Sequence, residues 1–425
     1  MTVMVQKNTI KEVLIGTREE INSIKVSPRN YKFDPKASYV LVGARRCGKS
    51  YLLYHTIQQR LSKGAGWDEM LYINFEDERL VGMETGDLNS ILEVHYTMSD
   101  KKPVLFFDEI QIVPNWEKFV RRLADEKYQL FVTGSNAKML SSEIATTLGG
   151  RLIVKEIFPY SFAEFLNANG ILSKEINLFS TRKRAKIMQL FEGYFKMGGF
   201  PESVAYEAKR DYLTAVYQKI YLGDIAARNN IDNRFVLRLM FQKIAESICQ
   251  PMSFNRLTNI LKSTGAKLSV NTIINYIDYS VDAFLLFPIK NIADNLVGRE
   301  TNPKYYFVDN GILNLLTFNN DTLLLENLVA VELFRRYGID QNVFFYNHNV
   351  EIDFYVPDEG LAIQVSYDIS KSTETFDRET KAFVSFSKFI NIRRCVIITY
   401  SNEDKVSADG LEIEVLPYWK WALGV

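Results

Sequence analysis

Eight consecutive residues, Gly43-Ala44-Arg45-Arg46-Cys47-Gly48-Lys49-Ser50, match the pattern G-x-x-x-x-G-K-[ST] of a phosphate-binding loop. Glycines let such a loop curl so that backbone N–H groups point inward at phosphate oxygens, and a helix starting near Lys49 adds its positive N-terminal end. Lys49 is placed to reach the β- and γ-phosphates of ATP, and the Ser50 hydroxyl to bind Mg²⁺. The expected nucleotide contacts are therefore Gly43, Ala44, Arg45, Arg46, Cys47, Gly48, Lys49 and Ser50, with Tyr51 following. A second constellation, Val104-Leu105-Phe106-Phe107-Asp108-Glu109, sets two acids directly after an apolar run. Asp108 is the candidate Mg²⁺ ligand. Glu109 is the candidate general base that orients and deprotonates an attacking water. An adjacent glutamate also separates this chain from nucleotide kinases, which have no use for a base that activates water.

Two further features bear on the same chemistry. Phe131-Val132-Thr133-Gly134-Ser135-Asn136 ends an apolar run in small polar residues. Beside the loop-bearing strand, it would put Ser135 or Asn136 near the γ-phosphate. Arg151, in Leu148-Gly149-Gly150-Arg151, is a candidate arginine finger or else a plain surface charge in a glycine turn.

These residues need a scaffold, and the surrounding pattern supplies one. The runs Tyr39 to Val42, Leu71 to Phe75, Val104 to Phe107 and Leu130 to Thr133 are strand-length and apolar at nearly every position. That is the pattern of parallel strands covered by helices on both faces. Helical stretches such as Ser50 to Leu61 and Trp116 to Ala124 alternate with them, which predicts a doubly wound α/β domain. After about Phe165 helices take over, Thr181 to Phe195 and Glu202 to Tyr221, split by the breaker Gly198-Gly199-Phe200-Pro201. Ser253 to Lys262 and Ser269 to Tyr279 have helix-turn-helix spacing around Gly265. Strands return at Tyr305 to Val308, Asn342 to Tyr346, Ile352 to Val356, Ala362 to Val365 and Cys395 to Thr399, with a helix from about Leu324 to Tyr337 among them.

Composition narrows the class. A hydrophobic fraction of 47% and a charged fraction of 24% are ordinary globular values. Lys plus Arg equals Asp plus Glu, 51 each, so the whole chain has no bulk attraction for nucleic acid or an anionic membrane. Cys47, Cys249 and Cys395 lie far apart, and there are 3 histidines, so a zinc site is not expected. A reducing, cytoplasmic compartment fits this cysteine usage. The N-terminal residues do not read as a secretory signal. No apolar run approaches the ~18 residues of a membrane span, so no membrane partner is expected.

The chain resembles the bacterial and archaeal AAA-type P-loop ATPases of the AAA-14 group, whose C-terminal half carries the domain DUF4143. The residues that carry the resemblance are Arg45 to Ser50, Leu71 to Leu80, Phe107-Asp108-Glu109-Ile110-Gln111 with Trp116-Glu117, Thr133 to Asn136 and Gly150-Arg151. Further on they are Gly198-Gly199-Phe200-Pro201-Glu202 and Tyr306-Phe307-Val308-Asp309-Asn310-Gly311. The resemblance implies an ATPase core at residues 1–165, a helical lid at 166–232, a winged-helix domain at 233–298 and a restriction-nuclease-like α/β domain at 299–425. A nuclease of that kind needs a helical acid, an aspartate and then [DE]-x-K. Glu326 and Asp353 fit the first two, but Gln364-Val365-Ser366 stands at the third, so its catalytic set reads as broken. The second helix of the helix-turn-helix pair contains no Lys or Arg, which argues against phosphate contacts with DNA. The expected function is hydrolysis of MgATP to drive a conformational switch. A low-turnover nucleotide-gated scaffold, or a DNA-processing enzyme with an active nuclease domain, are the alternatives. Expected partners are ATP and ADP, a second copy of the chain, and DNA or protein through the C-terminal domains.

Overall fold

The structure is a computed structural model that describes residues 6–134, 147–171, 180–318, 320–339, 342–369 and 373–425. The chain divides into two compact units, Met1–Ile157 and Phe158–Val425. The first boundary falls slightly earlier than expected, directly after the last strand of the first sheet.

In the first unit the strands are β1 (Ser38–Val42), β2 (Met70–Asn74), β3 (Val104–Asp108), β4 (Leu130–Gly134) and β5 (Leu152–Glu156). All pair in parallel, in the order β2-β3-β4-β1-β5. Every residue of β1 and β4 is buried, the reason their sequences are apolar at nearly every position. Among the described residues, four helices accompany the sheet: α1 (Lys7–Ser23), α2 (Lys49–Ser62), α3 (Leu88–Met98) and α4 (Trp116–Asp125). On α4 the buried residues are Trp116, Phe119, Val120 and Leu123, a spacing that puts one stripe on the sheet. Helix α1 is an addition to the sequence reading. Its stretch looks mixed and polar, yet Ile10, Val13, Leu14 and Ile21 share a face and are buried. The register aligns Val42 with both Gly134 and Glu156, so the ends of β1, β4 and β5 are level. The connection from β1 leaves toward β2 while that from β4 leaves toward β5. Crevices of open α/β sheets form at such a reversal, outside the carboxyl ends of the strands.

The second unit starts with helices α5 (Phe162–Ala168), α6 (Thr181–Met197) and α7 (Lys209–Gln218). The single helix expected from Glu202 to Tyr221 is instead a short turn at Pro201–Ala205, then α7, then a wider-wound segment at Lys219–Ala227. Helices α8 (Arg234–Glu246), α9 (Phe254–Lys262) and α10 (Val270–Asp282) follow, then β6 (Leu286–Asn291), the short α11 (Leu296–Thr301) and β7 (Lys304–Phe307). Beyond lie α12 (Asn310–Leu316), α13 (Asp321–Tyr337), β8 (Phe344–Asn347), β9 (Glu351–Val356), β10 (Leu361–Val365), α14 (Thr373–Ser387), β11 (Arg394–Thr399), β12 (Asp404–Ala408) and β13 (Leu411–Pro417). Eight strands form one mixed sheet, β12-β13-β11-β10-β9-β8-β6-β7. The expected domain boundary at 298 needs correction here. It falls between β6 and β7, which pair antiparallel from Leu286↔Phe307 to Ile289↔Lys304, while β6 also pairs with β8. Backbone hydrogen bonds therefore run straight across it.

One buried polar joint explains two of the sequence blocks. Gly199 N donates to Asp309 Oδ2 (2.7 Å) and Gly311 N to Asp309 Oδ1 (2.8 Å). A Cβ on Gly198 would lie 1.8 Å from Asp309 Oδ1, so only glycine fits there. Asn310 Nδ2 donates to the carbonyls of Phe195 and Leu324, and Asn327 to Asn310 Oδ1.

Candidate functional site

The glycine loop leaves β1 and enters α2 at Lys49. Gly43 (φ 154°) is pressed against the chain leaving β5: a Cβ there would stand 2.1 Å from Ile157 O. Arg46 (φ 62°) and Gly48 (φ 96°) adopt left-handed conformations that bend the loop back on itself. Arg29, which sequence reasoning passed over, is buried and donates from Nη1 to Cys47 O (3.0 Å), supporting the loop from behind. The Cys47 thiol is pushed up by burial, against the pull of the Lys49 and Arg29 charges.

Lys49 is 4% exposed. Its Nζ donates to Gly43 O (3.0 Å) and Ala44 O (3.1 Å) and stands 3.9 Å from Glu109 Oε1. The Ser50 hydroxyl hydrogen-bonds Asp108, so the two expected metal ligands meet across the gap between α2 and β3. Asp108 is fully buried. Its Oδ1 accepts from Thr133 Oγ1 and its Oδ2 from Tyr72 OH (2.7 Å). Burial, then the neighbouring Glu109 charge, raises its pKa, and the bonds from Thr133, Ser50 and Tyr72 oppose that rise. Thr133 also accepts from Glu109 N (2.9 Å), so one hydroxyl at the end of β4 ties both acids of β3 in place. Glu109 itself has φ 52°, and the Gln111 amide Nε2 donates to its Oε2 (2.5 Å).

The other expected residues divide. Arg45 pairs with Glu76 (3.4 Å), Ala44 is buried, and Tyr51 is 43% exposed on the first turn of α2 with its ring against Tyr54. Asn136, with Ser135, lies outside the described residues. Arg151 precedes β5, whose Leu152 is level with Ser38, at the opposite end of the strands from the glycine loop. There its Nε donates to Asp125 Oδ1 (2.6 Å) and its Nη1 to Leu148 O (3.2 Å). At ~3.3 Å per residue, five strand residues put it roughly 16 Å below the loop, too far to serve its own phosphate site.

The AAA domain family AAA_14 matches residues 35–166. Over 434 aligned residues the chain is 35% identical to the uncharacterized protein MJ1544 of Methanocaldococcus jannaschii, covering 98% of this chain and 96% of that protein. The chain belongs to this family of AAA-domain P-loop proteins. A second relative, an uncharacterized protein of Haemophilus influenzae, is 31% identical across 89% of this chain and 93% of its own. Residues 188–323 of this AAA-domain protein match a domain of unknown function, DUF8612, a different domain from the DUF4143 that the resemblance implied for the C-terminal half. Among solved structures, the Walker-type ATPase of Pyrococcus abyssi aligns at 12% identity with a TM-score of 0.44, covering 70% of this chain and 99% of that one. AMPPCP-bound DnaA from Aquifex aeolicus aligns at 15% and 0.25, covering 65% and 92%. The strand order of the AAA-domain protein stands independently of both. No helix among its described residues is long and apolar enough to cross a membrane.

In the second unit the structure assembles a cluster that the sequence showed only in part. Lys304 on β7, fully buried, sends its Nζ to 3.2 Å from Glu351 Oε1 and 3.8 Å from both Glu326 Oε1 and Asp353 Oδ1. Burial pulls the ammonium pKa down, but Glu326, Asp353 and Glu351 hold it up, with a net rise. Asp353 rises well above the carboxylate range, through burial and then the Glu326 charge, against Lys304. Tyr306 OH donates to Glu326 Oε1 (2.7 Å). The Gln364 amide is spent on backbone, accepting from Asp353 N and donating to Glu351 O (both 2.9 Å). Glu326, Glu351, Asp353 and Gln364 border a cleft of about 1030 Å³, with Arg256, Arg378 and Lys381 also on its wall. Among the described residues, no group of three or more His, Cys, Asp or Glu side chains is arranged to hold a metal ion.

Proposed function

We propose that this protein hydrolyses MgATP and uses the cycle to switch the conformation of its C-terminal segments. The observation that carries the reading is the convergence of Lys49, Ser50, Asp108, Glu109 and Thr133 at the carboxyl ends of β1, β3 and β4. Ser50 and Asp108 form an oxygen pair suited to Mg²⁺. Bound between them, the ion would supply positive charge beside the phosphate oxygens.

The remaining roles fall to side chains. The loop N–H groups and the start of α2 hold the phosphates. Lys49 exchanges the Gly43 and Ala44 carbonyls for phosphate oxygens within the same reach. Glu109 takes a proton from the water that attacks the γ-phosphorus, the bond to the bridging oxygen breaks, and ADP and phosphate leave. The presence of this base favours turnover over a nucleotide-gated scaffold. In Glu109→Gln the shape is kept and the base is lost. Steady-state phosphate release should drop on the order of 10²–10⁴-fold while ATP still binds. Joint loss of binding and turnover would make Glu109 a structural residue.

A second reading, phosphodiester hydrolysis in the second unit, is favoured by one observation. Lys304 brings to Glu326 and Asp353 the cation that Ser366 lacks. It ranks below the first because the Gln364 amide is committed to backbone. Incubation of the full chain with plasmid and Mg²⁺ or Mn²⁺ separates the two: nicking by the wild type that disappears in Lys304→Met supports it, and intact plasmid removes it.

A further inference from the structure

We propose that Gln111 is a positioning residue for hydrolysis: it holds the Glu109 carboxylate off Lys49, in place to act on water. The inference rests on the reading of Glu109 as the base. Gln111 stands in a tight turn, Ile110–Ile112, that follows β3 directly. Ile110 is fully buried and anchors the turn, and Val113 N donates to Ile110 O to close it. This geometry, with Glu109 in the left-handed region, folds the side chain at 111 back onto the carboxylate at 109.

Chemistry settles which way the Gln111 amide faces. An ionised carboxylate only accepts, so the NH₂ group points at Glu109 Oε2 and the carbonyl points away. That carbonyl oxygen is buried and has no hydrogen-bond partner among the described residues. Unpaired buried acceptors are uncommon in folded proteins. This one leaves the Gln111 amide with a single side-chain hydrogen bond, the one to the Glu109 carboxylate.

The opposing pull is also visible. Lys49 Nζ lies 3.9 Å from Glu109 Oε1, and the pair is almost wholly removed from solvent. Without Gln111 on the other oxygen, the ammonium draws the carboxylate into a direct ion pair. Both lose by that: the base gives up its lone pair, and the lysine its hold on phosphate. A hydrogen bond to a charged acceptor is strong enough to compete with this attraction. Local sequence could not reveal the arrangement, because a glutamine two residues past an acid is ordinarily a surface side chain.

The test is a double-mutant cycle on the full chain with Gln111→Leu and Gln111→Glu, each made in the wild type and in Glu109→Gln. Single-turnover phosphate release, ATP affinity by calorimetry and nucleotide-free melting temperature are measured for all. Expected in the wild-type background is a fall in the rate on the order of 10–10²-fold, as for a displaced catalytic group, with ATP affinity within about 2-fold of the wild type. In the Glu109→Gln background neither substitution should slow the residual rate further, and the nucleotide-free melting shifts of 109 and 111 should be less than additive. Equal rate losses in both backgrounds, or loss of ATP affinity with the rate, would overturn the proposal. Full activity in Glu109→Gln alone would instead defeat the assignment of the base, a separate outcome. Gln111→Glu keeps the size of the side chain, so a folding defect confined to Gln111→Leu leaves the cycle readable.

Discussion

Lys49 shows how much of the site rests on one charge. Its ammonium is buried and now satisfied by two loop carbonyls and the nearby Glu109 carboxylate. A unit charge about 4 Å from an anion contributes roughly 4 kcal/mol at an effective dielectric near 20. Lys49→Ala should therefore weaken ATP binding by on the order of 10²-fold or more. Calorimetry returning wild-type affinity would sink the phosphate-site assignment. The same accounting explains the surroundings of Asp108. Tyr72, Thr133 and Ser50 each donate to it, and these bonds oppose the rise in pKa that burial and the Glu109 charge cause.

Between elements, the joint of Asp309 with Gly198-Gly199 connects the end of α6 to the start of α12. Burial pushes the Asp309 pKa up from 3.8 to about 6, although the N–H groups of Gly199, Gly311 and Ile312 pull it down. The folded state therefore binds a proton more tightly than the unfolded chain. Its contribution to stability is fully present below about pH 4 and is lost as pH rises through about 6. The expected size is about 3 kcal/mol across that window. Asp309→Asn should be less stable outright, because an NH₂ group then faces a backbone N–H. It should also lose this slope: the stability gap between wild type and variant narrows from pH 4 to pH 6 as the wild type loses its protonated advantage. Urea midpoints at several pH values read this directly, and a gap constant with pH would show that Asp309 does not titrate there.

At the scale of the molecule, Arg151 bears on assembly. Its place at the foot of β5 rules it out of its own phosphate site, and its exposed pair with Asp125 is worth little to stability. We propose that it acts on the site of a second copy, supplying the extra cation that phosphoryl transfer often takes in trans. Specific activity should then rise with protein concentration. Arg151→Ala should abolish turnover yet bind ATP, and mixing it with Lys49→Ala should restore some activity, since each supplies what the other lacks. Asp125→Ala, which frees Arg151 from its ion pair, should stay active. Concentration-independent turnover by a monomer would exclude the trans role.

The glycine loop and the acid pair were legible in the sequence because each is a local device. The loop needs glycine where its backbone bends or touches Ile157, and the acids need only an apolar strand to end. The parallel α/β class was legible for the same reason, since strands buried on both faces are apolar throughout. Strand β5 was not: it lies at the sheet edge with Ile153 and Val154 exposed, and so lacks that signature. Nor was α1, whose apolar stripe is diluted by charged residues on its wet face. Thr133, Tyr72 and Gln111 joined the site only through strand order and one tight turn, and Arg29 through the segment that leads into β1. Lys304 is the clearest case. Nothing near Glu326 or Asp353 in the chain announces it, because its position is set by which strands the second sheet puts side by side. Local backbone chemistry determined where the glycine loop and the acid pair stand, and tertiary pairing decided which distant side chains hold them in place.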